Sequence, residues 1–100
     1  MEKKSRMNKA QLKVQGGKFI KVQLETEDDK IKKVKITGDF FLHPEEIIDD
    51  IETSVTGVLL DETVIADRIR KFILKNKAVL LGASPEDFAK CIVMAGAGNG

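Results

Sequence analysis

Residues 19–37, FIKVQLETEDDKIKKVKIT, contain the pattern that decides the fold. Apolar side chains occupy alternate positions in residues 19–25 and again in residues 31–37, with polar residues 27–30 between them. This alternation predicts two antiparallel strands joined by a hairpin, with one face on a core and the other in water. The apolar positions are Ile20, Val22, Leu24, Val34 and Ile36.

Working outward, residues 10–14 form a short first strand, and the Gly16-Gly17 pair marks the turn that joins it to the second strand. Residues 1–9 are polar and without periodicity, which indicates a flexible N-terminal arm. The three strands place a set of lysines on the water-exposed face: Lys13, Lys21, Lys33 and Lys35.

Helical signals fill the second half of the chain. A first helix is predicted to start at Pro44, a second is capped by Asp61 and runs to about Lys75, and a third begins at Ser84-Pro85. Strands followed by helices indicate an α+β fold, in which a three-stranded antiparallel sheet is followed by about three helices packed on one face. The predicted domain spans residues 10–94, and residues 95–100 form a flexible tail.

Composition limits the function classes. The chain has 100 residues, 42% of them hydrophobic and 33% charged, which is typical of one small globular domain. Its single cysteine, Cys91, excludes an internal disulfide and a multi-cysteine metal site within one chain. The absence of a long apolar run or an apolar leader predicts a cytoplasmic protein without a membrane span.

The charge is divided unevenly along the chain. Residues 1–37 hold 11 Lys and Arg against 5 Asp and Glu, a net charge of +6, whereas residues 38–100 hold 6 against 11, a net charge of −5. A basic half of this kind is compatible with nucleic acid, with an acidic partner or with a solvated sheet face.

Few residues suit catalysis. His43, the only histidine, precedes a proline and is interpreted as a boundary residue more readily than as a base or metal ligand. Cys91 lies between apolar neighbours and fits a buried thiol better than a nucleophile. The acidic residues 45–52 suit a helix start and a solvated face. We therefore assign no catalytic residue and no metal ligand.

The most unusual segment joins the last strand to the first helix and contains two adjacent aromatic residues. Strand alternation places Phe40 toward the core and Phe41 toward the opposite side, where it can cover a partner surface, although a bend could bury both. This segment is the candidate partner interface: Gly38, Asp39, Phe40, Phe41, Leu42 and His43.

The same segment carries a family resemblance. Residues 16–18, GGK, and residues 33–46, KVKITGDFFLHPEE, resemble the small C-terminal domain of lipoate–protein ligases, most closely the separately encoded accessory subunit of archaea. Residues 65–69, IADRI, and residues 81–88, LGASPEDF, resemble the later helices of that domain. The resemblance covers roughly residues 10–94.

The resemblance implies a non-catalytic subunit that forms a heterodimer with a catalytic lipoate–protein ligase subunit. The complex would use ATP, magnesium and lipoate to make lipoyl-AMP and would then lipoylate acceptor domains of 2-oxoacid dehydrogenase or glycine-cleavage proteins. This chain alone would bind no cofactor and would not be catalytic. No membrane partner is expected, and nucleic acid is disfavoured.

The sequence leaves two alternative functions open. One is a small basic nucleic-acid-binding module, which the lysine-rich first half suggests. The other is a scaffold of the iron–sulfur type, whose fold the small ligase domain resembles, although Cys91 is a single cysteine where such scaffolds use several.

Overall fold

Three antiparallel strands open the chain, β1 (Arg6–Lys13), β2 (Phe19–Glu27) and β3 (Lys30–Gly38), and they lie in the order β1-β2-β3. The structure, a computed structural model, describes residues 6–14, 16 and 18–97. The hairpin between β2 and β3 is closed by Asp28 and Asp29, both with positive φ (57° and 64°), as a two-residue turn of this type requires. The sheet predicted from alternation is confirmed.

The first strand is longer than its sequence pattern indicates. It begins at Arg6, which lies opposite Thr26, whereas residues 10–14 were the predicted strand. Because β2 extends to Glu27, residues 6–9 have a partner strand and join the sheet, although they show no alternation. The assignment of residues 1–5 to an arm and of residues 98–100 to a tail lies outside the described residues.

A second, two-stranded sheet was not predicted. β4 (Phe41–His43) pairs antiparallel with β5 (Val79–Leu81), and we call this pair the ribbon. Three-residue strands are too short to show a period, which explains why only the fold reveals them.

Three helices follow in the predicted order: α1 (Ile47–Ser54), α2 (Glu62–Lys75) and α3 (Pro85–Gly96). Asp61 caps α2 by accepting from the backbone N–H groups of Thr63 and Val64, and Ser84 forms a capping box with Asp87 at the start of α3. The first helix starts later than predicted, because residues 44–46 form turns that precede the helix at Ile47. No helix in the described part of the chain is long and apolar enough to cross a membrane.

The core lies between one face of the sheet and the helices. The alternating residues Ile20, Val22 and Leu24 are at most 1% exposed, which confirms the predicted inward face. Helix α3 packs across β1 and β2, and α1 packs on β3. The helical contribution includes the fully buried side chains Ile51, Ile65, Ile69, Phe88 and Ile92. Burial of these apolar side chains supplies the main stabilisation.

Candidate functional site

The two adjacent aromatic residues separate to opposite sides of the chain. Phe40 is half-buried and its ring meets Phe88 of α3 edge to face, with ring centroids 5.0 Å apart at 73°. This arrangement suits the aromatic quadrupoles and anchors the segment to the core. Phe41 remains 54% exposed. The placement predicted from strand alternation is therefore confirmed for both residues.

Gly38 and Asp39, both exposed, shape the candidate segment. Gly38, the last residue of β3, approaches Phe19 so closely that an added Cβ would overlap the Phe19 carbonyl oxygen. Asp39 then bonds Phe19 twice: its backbone N–H donates to the Phe19 carbonyl at 2.9 Å, and its carboxylate accepts from the Phe19 N–H at 3.3 Å. Gly38 and Asp39 thus set the direction in which the chain leaves the sheet.

The ribbon has an inner and an outer face. Leu42 is 5% exposed and lies opposite the half-buried Leu80, so these two side chains point into the core. On the outer face Phe41 lies opposite Leu81, and His43 lies opposite Val79. The rings of Phe41 and His43 are parallel, with centroids 6.4 Å apart, which places them on the same side.

We call the side chains of Phe41, His43, Val79 and Leu81 the ribbon surface. Its three apolar members are 54%, 45% and 58% exposed, and His43 is also exposed. Isolated exposed apolar residues are ordinary, but neighbouring ones on a common face are typical of a protein–protein contact. The ribbon surface thus has the apolar composition of a binding surface, with the His43 imidazole as its polar member.

Cys91 is the other side chain that the sequence offers as a possible nucleophile. Cys91 is fully buried in α3, its thiol lies 3.6 Å from the Ile20 carbonyl oxygen, and burial raises the pKa of the thiol to about 11. A raised pKa disfavours the thiolate that a nucleophile needs. Within residues 6–14, 16 and 18–97, no group of three His, Cys, Asp or Glu residues could hold a metal ion.

The acidic residues of the first helix include one with a structural role. The Glu52 side chain accepts a hydrogen bond from the Ile36 backbone N–H at 2.8 Å, at the edge of the sheet. The other acidic side chains of this stretch, Glu45, Glu46, Asp49 and Asp50, are exposed.

Two of the four residues of the ribbon surface are predictable from the sequence. Phe41 and His43 lie on it, whereas Phe40 and Leu42 from the same candidate segment pack inward. Val79 and Leu81 were missed. The available signal was a short apolar run, residues 78–81, between Asn76-Lys77 and Gly82, which is consistent with a brief strand.

Known proteins resemble this chain over most of its length. The family described as bacterial lipoate protein ligase C-terminus matches residues 6–92. Lipoate-protein ligase A subunit 2 of Thermoplasma acidophilum is 36% identical over 75 residues, which are 74% of this chain and 76% of that protein. These matches confirm the resemblance found in the sequence.

A solved structure shares the fold. It describes an archaeal lipoylation system, a bi-partite lipoate protein ligase and its E2 lipoyl domain, from Thermoplasma acidophilum. One of its chains superposes with a TM-score of 0.74 and 30% sequence identity, and the match covers 89% of this chain and 97% of that chain.

Proposed function

The chain belongs to the family of lipoate–protein ligase C-terminal domains, and from this premise we propose that it is the small, non-catalytic subunit of a two-part lipoate–protein ligase. The observation that carries the proposal is the structural similarity, over 89% of this chain, to a chain from a bi-partite ligase system, of which the match covers 97%.

The ribbon surface is the proposed contact with the catalytic subunit. Phe41, Val79 and Leu81 expose apolar area that a partner would remove from water, and each fully buried side chain of this size contributes roughly 1.5–3 kcal/mol. Phe41 is the expected centre because aromatic residues, Phe among them, are enriched in the buried cores of protein–protein interfaces. His43 provides a polar group beside it.

The proposed effect of this binding is on lipoate activation. The complex would use ATP, magnesium and lipoate to form lipoyl-AMP, with the substrate pockets and reacting groups in the catalytic subunit. A docked small domain can order or close a neighbouring site and exclude water from a reactive intermediate. The acceptor would be a lipoyl domain of a 2-oxoacid dehydrogenase or a glycine-cleavage protein, and we place the reaction in the cytoplasm.

Pyrophosphate release tests this proposal. The cognate catalytic subunit is incubated with ATP, magnesium and lipoate, with and without this chain. We expect the chain to increase pyrophosphate release and to form a stable complex with the catalytic subunit in gel filtration. Equal release with and without the chain would contradict the proposal.

A further inference from the structure

The face of the three-stranded sheet opposite the helices is open to solvent and rich in lysine. We call it the lysine face, and its exposed basic side chains are Lys9, Lys13, Lys21, Lys33 and Lys35. A shallow groove of about 700 Å³ runs across it, with Gln11, Gln23 and Thr37 among its other lining residues. The predicted exposure of Lys13, Lys21, Lys33 and Lys35 is confirmed.

Strand register concentrates the charge at the centre of this face. Lys9 and Lys35 lie on either side of Gln23 in one cross-strand row. Lys21 occupies the next row, between Gln11 and Thr37. Neighbouring strands are about 4.8 Å apart, so the three ammonium groups project from a compact area. Neither row contains a carboxylate.

These lysines form no salt bridge in the described part of the chain. The salt bridges found there join Lys32 to Glu25 and Glu27, Lys71 to Asp67, and Arg70 to Glu86. None of them involves Lys9, Lys13, Lys21, Lys33 or Lys35. Glu25, which lies opposite Lys33 in the strand register, is the acidic residue at the edge of this face, and it pairs with Lys32. Like charges held side by side repel one another, and an anionic surface would relieve that repulsion.

The charge distribution favours a compact acidic partner over a long polyanion. Residues 38–100, which include all three helices, carry a net charge of −5, and the whole chain carries only +1. A nucleic acid that extends past the sheet would meet this negative charge, whereas an acidic patch on a folded domain would meet the lysine face alone.

We propose that the lysine face binds an acidic surface of the lipoyl-acceptor domain and helps to deliver that domain to the ligase. This inference rests on the proposed function. An acceptor must arrive and leave in every cycle, and charged contacts raise the association rate without requiring a long-lived complex. The apolar ribbon surface suits the lasting contact with the catalytic subunit.

A pair of double variants tests the proposal in the two-subunit ligase. Lys21→Gln/Lys35→Gln removes two charges from the lysine face, and the control Lys75→Gln/Lys90→Gln removes two exposed charges from α2 and α3. We expect the first variant to raise the KM for the unmodified acceptor domain about fivefold at low ionic strength, with a smaller effect at high salt. The control should leave the KM unchanged.

Pyrophosphate release measured without an acceptor domain distinguishes failure of this proposal from failure of the proposed subunit function. It should be the same for wild type and both variants, because the lysine face is not expected to act in adenylation. NMR titration of the acceptor domain into this chain gives a binding readout that needs no ligase activity.

Four outcomes would overturn the proposal, the last of them in favour of nucleic acid. The first is an unchanged KM and an unchanged titration for Lys21→Gln/Lys35→Gln, and the second is an equal rise in KM for the control. The third is lost adenylation, which would place the lysine face against the catalytic subunit. Retention of a labelled oligonucleotide that depends on Lys21 and Lys35, without an effect on the acceptor, would assign the face to nucleic acid instead.

Discussion

Phe41 lies directly opposite Leu81 in the ribbon, and the two side chains remain 54% and 58% exposed. The residues come from distant parts of the chain, on either side of α1 and α2. The ribbon therefore brings together an apolar surface that neither strand provides alone.

Replacing Phe41 by alanine tests the ribbon surface. We expect Phe41→Ala to weaken binding to the catalytic subunit about tenfold, because a central aromatic contact contributes 1 kcal/mol or more. The free energy of unfolding should change by less than about 0.5 kcal/mol, because an exposed side chain makes few contacts within the folded protein. Calorimetric titration and urea denaturation measure the two quantities.

The matched control for Phe41 is Leu74→Ala on α2. Leu74 is 70% exposed and lies outside the ribbon, so its loss should affect neither binding nor stability. If Phe41→Ala binds the catalytic subunit as tightly as wild type does, Phe41 is not part of the interface.

The neighbouring Phe40 should show the reverse behaviour. Phe40→Ala removes the edge-to-face contact with Phe88 and leaves a cavity under the segment, so we expect a loss of about 2–3 kcal/mol in the free energy of unfolding. Phe40→Leu, which keeps most of the apolar volume, should lose less. A Phe40→Ala protein as stable as wild type in urea denaturation would show that Phe40 does not anchor the core.

Glu52 caps the Ile36 backbone N–H group of the edge strand β3 and shields it from exchange with water. Since its carboxylate accepts from the Ile36 N–H at 2.8 Å, Glu52→Ala should cost about 1–2 kcal/mol of stability and accelerate hydrogen exchange at the Ile36 amide. Glu52→Gln keeps an acceptor oxygen and should retain part of the protection. An Ile36 amide that exchanges at the wild-type rate in Glu52→Ala would contradict this role.

Because the pKa of the Cys91 thiol is raised in the folded protein, we expect the free energy of unfolding to fall at alkaline pH. Burial raises the pKa of the folded thiol from 9.0 to about 11, so the unfolded chain loses its proton first as the pH rises. The stabilising contribution is complete below pH 9.0 and is lost as the pH rises toward about 11. The fall approaches about 1.4 kcal/mol per pH unit at its steepest.

The comparison uses Cys91→Ala, which lacks the titrating thiol. Unfolding free energies at about pH 8 and about pH 10.5 should differ more for wild type than for the variant. An equal difference for the two proteins would show that the thiol is not linked to folding. A thiol reagent at about pH 8 should label native Cys91 only after unfolding.

Local patterns account for most of the secondary structure. Alternation in residues 19–25 and 31–37 predicted the sheet and its inward face, and Asp61 and Ser84 marked the starts of two helices. These signals act through neighbouring residues, by side-chain direction or by a bond to a nearby N–H group, so they are readable from the sequence. The start of β1 was misplaced because its extent depends on pairing with β2.

The sequence by itself determined the α+β class and the lysine-bearing face of the sheet, whereas it left open whether Phe41 is buried together with Phe40. Only the tertiary structure decided that Phe41 meets Leu81, that Glu52 bonds Ile36, and that unpaired lysines gather around Gln23. Side-chain direction repeats with a short local period, whereas these contacts join residues far apart in the chain. They exist only after the core has closed and fixed the elements against one another.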